Sequence, residues 1–218
     1  MKLAARAEEY PSAENTLYTA IGSSSGVQLH CGFVIVNPDK SQTLVDLAWH
    51  HRLRSDPYDC NYFCFETGLD AVNQNIVAAF CLLVAERNAS AIPYGFRFEN
   101  LKFSTATGDA GDVPIGHGMT CATFVYCVLN SLSLPPLDLV DWPERSDDEM
   151  WMKQIVTVLE RNSANQGHVD AVTAAGPYIR LRPEEIVGSV CADPSDWPQH
   201  HEEVEAVSKA IREIVLAG

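Results

Sequence analysis

Apolar residues recur along the chain with two different periods, and the changes between them mark out strands and helices. From Val27 to Val36 the run Val-Gln-Leu-His-Cys-Gly-Phe-Val-Ile-Val is rich in β-branched and aromatic residues, and Asn37-Pro38-Asp39-Lys40 follows as a turn signal. This predicts a hairpin centred near residue 40, with a return strand over about residues 43–53. Strand alternation then places His30, Gly32, Val34 and Val36 on one face, and Asp46, Ala48 and His50 on one face of the return strand. Leu69, Val72, Ile76, Ala79, Phe80 and Leu83 stand three or four residues apart, which predicts a long amphipathic helix over 68–87. Residues 1–25 carry only weak periodicity and read as an irregular lead-in, with a short helix near Ala13 to Tyr18.

Beyond the long helix, Ala91 to Phe98 reads as extended, and the Gly- and Asp-rich stretch from Thr107 to Gly118 reads as a loop. The loop gives way abruptly to Met119-Thr120-Cys121-Ala122-Thr123-Phe124-Val125-Tyr126, a helical run that ends near Leu132, before Pro135-Pro136. Ser146-Asp147-Asp148-Glu149 has the side chains of a helix start leading into 150–161, and Pro183-Glu184-Glu185 marks another. Val204, Val207, Ile211, Ile214 and Val215 form one apolar stripe in a closing helix within 196–218. Strands followed by helices, with no repeat or linker between them, indicate an α+β fold and a single domain over 1–218.

Charge narrows the range of partners. The 29 acidic and 15 basic residues leave a net charge of −14, and no basic run occurs, so a nucleic-acid partner is not expected. The first residues lack the apolar core of a signal peptide, and the longest apolar segment, Ile76 to Ala85, is too short to span a bilayer. Seven cysteines form an odd set, several of them in apolar runs where a free thiol behaves as a small hydrophobe. A soluble protein in a reduced, cytoplasmic compartment is the expectation.

Cys121 is the most informative of these cysteines. A thiol in the first turn of a helix meets unpaired backbone N–H groups and the positive end of the macrodipole, both of which favour the nucleophilic thiolate. His30 is the candidate general base. A hairpin centred near residue 40 sets His50 roughly opposite His30, as the polar group that would orient its ring; Asp46 and His51 compete for that place if the register shifts or a bulge intervenes. The Cys121 backbone N–H is a candidate oxyanion donor. His117 reads as a loop histidine. A second arrangement would take His168 as the base, on a strand formed by Gly167-His168-Val169. His50, His51, Cys60 and Cys64 fall close together, but their spacing is looser than zinc knuckles use and no second pair closes a site, so neither a metal nor a cofactor is expected.

The strand His30-Cys31-Gly32-Phe33-Val34-Ile35-Val36, a strand ending at His50, and much later Thr120-Cys121-Ala122-Thr123-Phe124-Val125 opening a helix resemble the circularly permuted NlpC-type papain-like fold. That group includes lecithin:retinol acyltransferase-like proteins and bacterial permuted papain-like amidases, in which the histidine strand precedes the cysteine helix. Leu181 to Val187 is similar to the short proline-started helix that follows the core in this group. The resemblance covers about residues 27–53 and 115–190. It implies a small antiparallel sheet packed on the nucleophile helix, with further helices around it. It also implies a cysteine peptidase, amidase or acyltransferase, with Cys121 as nucleophile, His30 as base and His50 as orienting residue, acting on a peptide, amide or acyl bond. The alternative outside catalysis is a papain-fold binding or immunity module, since a fold alone confers no activity.

Overall fold

The computed structural model describes residues 2–23, 28–162, 165–174 and 178–218. Its architecture is α+β, a six-stranded antiparallel sheet with six α-helices. The strands are β1 (Leu3–Ala5), β2 (Leu17–Ser23), β3 (Leu29–Val36), β4 (Gln42–Trp49), β5 (Arg52–Pro57) and β6 (Phe63–Glu66), in the spatial order β1-β6-β2-β3-β4-β5. The helices are α1 (Ala71–Asn88), α2 (Cys121–Ser131), α3 (Asp148–Asn162), α4 (Gln166–Ala174), α5 (Pro183–Val190) and α6 (His201–Ala217). None of them is long and apolar enough to cross a membrane.

The lead-in expected over 1–25 is irregular over 6–16 but contains two strands, β1 and β2, and no helix forms at 13–18. The strand β2 lies in the middle of the sheet between β3 and β6, and Leu17 through Ile21 are all buried. A strand covered on both faces has no polar alternation to betray it. Its entry is fixed by a residue distant in sequence: the Gln74 side-chain oxygen of α1 accepts from the backbone N–H of Thr16 (3.1 Å) and Leu17 (3.4 Å). Val27, where the sequence places the start of the first strand, lies outside the described residues.

One face of the sheet carries Leu17, Ile21, Phe33, Ile35, Val45, Leu47 and Phe65 into the main core, which they share with α1, α2 and α5. The other face carries a smaller cluster that includes Tyr18, Ala20, Val34, Leu44 and Cys64. The helix α1 begins at Ala71, where the Asp70 carboxylate accepts from the N–H of Asn73 at 2.8 Å and caps the first turn.

The hairpin of β3 and β4 sets the geometry of the site. Its turn runs from Asn37 to Ser41, with Lys40 in the left-handed region at φ 72°. The pairs Phe33↔Val45, Val34↔Leu44, Ile35↔Thr43 and Val36↔Gln42 place the centre one residue earlier than the sequence suggests. The return strand also ends sooner: an extra residue at Ala48 bulges β4 between Leu47 and Trp49, and His50 and His51 form the turn into β5. His51 takes φ 56°, and its N–H donates to Ile92 O at 2.9 Å. The bulge breaks the alternation, so Asp46 and His50 do not share a strand face.

Gly32 allows β3 and β4 to meet at the site. A Cβ on Gly32 would lie 2.5 Å from Val45 O and 2.7 Å from the Asp46 Cβ. Gly32→Ala is therefore expected to cost about 1–3 kcal/mol from overpacking, read as a lower urea midpoint at unchanged slope; a wild-type midpoint would show that the strands can separate freely here.

Candidate functional site

The first helical residue of α2 is Cys121. Thr120 caps the helix: its Oγ1 accepts from Thr123 N at 3.2 Å, while Thr123 Oγ1 accepts from Thr120 N at 2.7 Å. This reciprocal pair satisfies two groups and leaves the N–H of Cys121 without an intrahelical partner. The approach to the helix is held by Gly118, whose N–H donates to Arg97 O at 3.0 Å. A Cβ on Gly118 would lie 2.4 Å from Pro93 O, so the loop can pass this close to residues 93–95 only as glycine.

Packing of α2 on β3 and β4 brings Cys121 to His30 and Cys31. The Cys121 thiol is pushed well below its ordinary pKa. The hydrogen bond from the Cys31 side chain contributes most; burial opposes the shift, and the charge and hydrogen bond of His30, with the Cys31 backbone N–H, add to it. Burial works against a charged His30, but the Cys121 thiolate and the Asp46 carboxylate outweigh it and raise the ring to about 10. The side chains therefore favour a thiolate–imidazolium pair across the neutral range.

Asp46 holds the far side of the ring. Its side chain is fully buried, and Oδ2 pairs with His30 Nε2. Arg54 on β5 grips the same carboxylate with Nε to Oδ1 at 2.9 Å and Nη2 to Oδ2 at 2.6 Å, and Nη2 also donates to the Tyr62 hydroxyl at 3.1 Å. Burial would raise the Asp46 carboxyl, but His30 and Arg54 hold it below the ordinary range. With Nε2 bound to Asp46, Nδ1 is the ring nitrogen left for the sulfur.

The structure thus gathers Cys121, His30 and Asp46, and does not bring His50 to His30. His50 lies in the β4–β5 turn, where its Nδ1 accepts from Tyr94 N at 3.0 Å and its ring sits 4.1 Å from His51 and 5.0 Å from His168. Burial first, then the neighbouring His51 and His168, lowers His50 to about 4, so it stays neutral. His168 lies on α4, a helix where a strand was the alternative expectation. Its Nδ1 accepts from Gly116 N at 3.3 Å and its Nε2 donates to Tyr94 O at 2.9 Å, which occupies both nitrogens away from the sulfur. His117 remains in the loop beside Arg97. Among the described residues no group of three or more His, Cys, Asp or Glu is placed to hold a metal ion, and Cys64 is buried in β6.

Arg54 and Cys31 escaped the sequence reading. Arg54 was discoverable only through the β4–β5 register, which sets it directly opposite Asp46. Cys31 looked like a core residue because it is one: it lies on the helix-facing side of β3, where α2 meets the sheet.

Cys121 and His30 open into a cleft of about 570 Å³. One wall is α3, with Met150, Trp151, Ile155 and Val158; another is the entry to α5, with Arg180, Arg182 and Glu184. A charge network ties these walls together. Arg180 Nη1 reaches Asp148 at 3.0 Å, Arg182 Nη2 reaches Asp147 at 2.6 Å, and Arg145 joins Asp148 to Glu185. The Arg180 guanidinium also lies 4.3 Å from the centre of the Trp151 ring. Compared with known proteins, the chain matches no family model, no curated protein and no solved structure.

Asp46→Asn is expected to lower the His30 pKa from about 10 and to slow Cys121 alkylation at pH 7. Because Arg54 loses its partner, a stability loss of about 3 kcal/mol should accompany the change. His50→Ala should leave the His30 titration where it is. Imidazole NMR titration of both variants distinguishes the two residues; a shift of His30 in His50→Ala alone would return His50 to the site.

Proposed function

We propose that this protein is a cysteine-dependent hydrolase or acyltransferase that acts on an amide, peptide or other acyl bond through a Cys121 thioester. The observation that carries this reading is the meeting of Cys121, His30 and Asp46 at the start of α2. These three supply a nucleophile, a proton carrier and a group that fixes the carrier's orientation.

The thiolate attacks the carbonyl carbon, and the negative charge moves to the carbonyl oxygen, within reach of the Cys121 N–H at the positive end of α2. As the tetrahedral adduct collapses, the imidazolium of His30 gives its proton to the leaving atom, and the carbon–leaving-group bond breaks. The neutral ring then takes a proton from water, or from an acceptor nucleophile, which attacks the thioester and releases Cys121 as thiolate. Asp46 keeps Nε2 engaged throughout, and Arg54 keeps Asp46 ionised. The order of His30 before Cys121, on a strand and a helix start respectively, fits the permuted papain-like arrangement, with Asp46 in the orienting role in place of His50. The occupied nitrogens of His168 weigh against the unpermuted order. A pair of oppositely charged groups at a cleft favours catalysis over a binding or immunity module, because pKa shifts of this kind cluster at reactive sites. A cytoplasmic setting is compatible with seven free cysteines.

Two measurements test this reading. Iodoacetamide should label Cys121 ahead of the other six cysteines at neutral pH, since burial raises Cys64 to about 12 and Cys191 to about 11 and pushes Cys81 and Cys127 higher still. The lead should vanish in His30→Ala; equal labelling of all seven would refute the activated thiol. The pH profile follows from the signs of the shifts. The thiolate exists above its lowered pKa and the imidazolium below about 10. Turnover should therefore hold across the neutral range and fall as pH rises through about 10, while labelling, which needs only the thiolate, should persist there.

A further inference from the structure

Cys31 directs both its backbone N–H and its thiol at the Cys121 sulfur. It does so from the face of β3 on which α2 packs, where both cysteines belong to the core. Two cysteines are therefore in contact at the helix start, one of them the nucleophile of the reaction proposed above. That reaction uses Cys31 only as a donor, and a hydroxyl would fill the same role. A second thiol adds an option that a hydroxyl lacks, since thiols that meet can be joined and thiols that point apart cannot.

Access separates the two sulfurs. Cys121 lines the cleft, whereas Cys31 has no exposed surface. A small oxidant that enters the cleft meets Cys121 first, in the thiolate form that reacts with it. Burial pushes the Cys31 thiol up, and the hydrogen bond and charge of Cys121 push it further, so Cys31 stays protonated beside a thiolate. Oxidation of Cys121 to a neutral sulfenic acid removes that charge. Ionising Cys31 thus becomes easier just when its neighbour has become an electrophile.

We infer that Cys31 and Cys121 form a modification site: a hydroperoxide oxidises Cys121, Cys31 resolves the product as a Cys31–Cys121 disulfide, and a dithiol restores both thiols. In the first step the Cys121 sulfur attacks the peroxide, and an S–O bond forms as the O–O bond breaks. The released hydroxide or alkoxide takes the proton of the His30 imidazolium. In the second step Cys31 gives up its proton, its sulfur bonds to that of Cys121, and the S–O bond breaks; the departing hydroxide and the Cys31 proton form water. Two electrons pass from the sulfurs to the hydroperoxide, and the dithiol returns them by exchange. The proposed reaction stops while the disulfide lasts, and Cys121 is kept from the irreversible sulfinic and sulfonic acids.

This inference rests on the activated Cys121 of the proposed function, but its readouts need no substrate. The full chain at pH 7 is treated with equimolar hydrogen peroxide, the remaining thiols are blocked with N-ethylmaleimide, and the digest is read by mass spectrometry. The expected product is a linked Cys31–Cys121 peptide pair, with two of the seven free thiols lost. Dithiothreitol should return the iodoacetamide labelling of Cys121 in full. In Cys31→Ser, where the hydroxyl keeps a donor beside the sulfur, dimedone should trap sulfenic acid at Cys121, and prolonged peroxide should abolish the recovery. The wild-type His30 ring gives a readout that does not depend on that variant folding. Burial lowers its pKa, and the Cys121 charge is the largest contribution that raises it. The disulfide removes that charge, so the imidazole NMR titration should fall on oxidation and return on reduction; a sulfinate would keep the charge and leave the titration high. The inference is overturned, and the thioester chemistry stands, if iodoacetamide labels Cys121 first but peroxide leaves it unchanged, converts it to sulfinate or links it to another cysteine. Equal recovery in wild type and Cys31→Ser has the same meaning. A Cys121 labelled no faster than the other cysteines removes the proposed function and the inference together.

Discussion

A single buried carboxylate organises the site. Asp46 has no contact with solvent, and an ionised group there is tolerable only because Arg54 and His30 surround it. Each partner depends on the others. Without Arg54 the carboxylate would lose its bidentate grip and its ionisation would become costly; without Asp46 the His30 ring would lose both its orientation and much of its positive charge. The three residues come from three adjacent strands, so the hydrogen-bonded register of β3, β4 and β5 is at the same time the alignment of the site. Gly32 permits it, since a side chain there would force apart the strands that bring Asp46 to His30.

On the other side of the ring the constraint comes from a helix start. The Thr120–Thr123 pair ends the loop and begins α2 at one defined residue, and that residue is Cys121. The charge of His30 and the donors of Cys31 then act on a sulfur already placed where backbone N–H groups are unpaired. Because α2 packs on the same two strands that carry His30 and Asp46, Cys121 and His30 are joined through the core and not through a loop. A charged pair built this way is held in place by the core, so its two members keep their positions without a loop having to close.

The cleft walls follow a different logic. The α3 and α5 elements meet through alternating Arg and Asp or Glu side chains, with Arg180 laid on Trp151, so a chain with a large negative charge presents several arginines in the cleft that holds Cys121. Arg180 and Arg182 are engaged by Asp148 and Asp147, and Glu184 by Arg212 of α6, which fixes the wall and keeps its net charge small.

The elements whose signals are local were legible in the sequence. The helix at Cys121 follows from a glycine loop and an apolar period; α1, α3, α5 and α6 follow from their spacing and their starts; β3 follows from its β-branched run and the turn after it. Cys121 and His30 could be singled out as candidates for the same reason, since the chemistry of each depends on its own segment. The partner of His30 could not be settled that way. It hangs on a left-handed Lys40, which shifts the hairpin, and on an extra residue at Ala48, which turns His50 away, and the turn that follows is anchored to Ile92, far along the chain. The strand β2 was hidden because burial on both faces erases the alternation that marks a strand. Sequence alone determined which residues could react; the tertiary structure decided which carboxylate holds the histidine, because strand register is fixed by contacts between segments that no local pattern encodes.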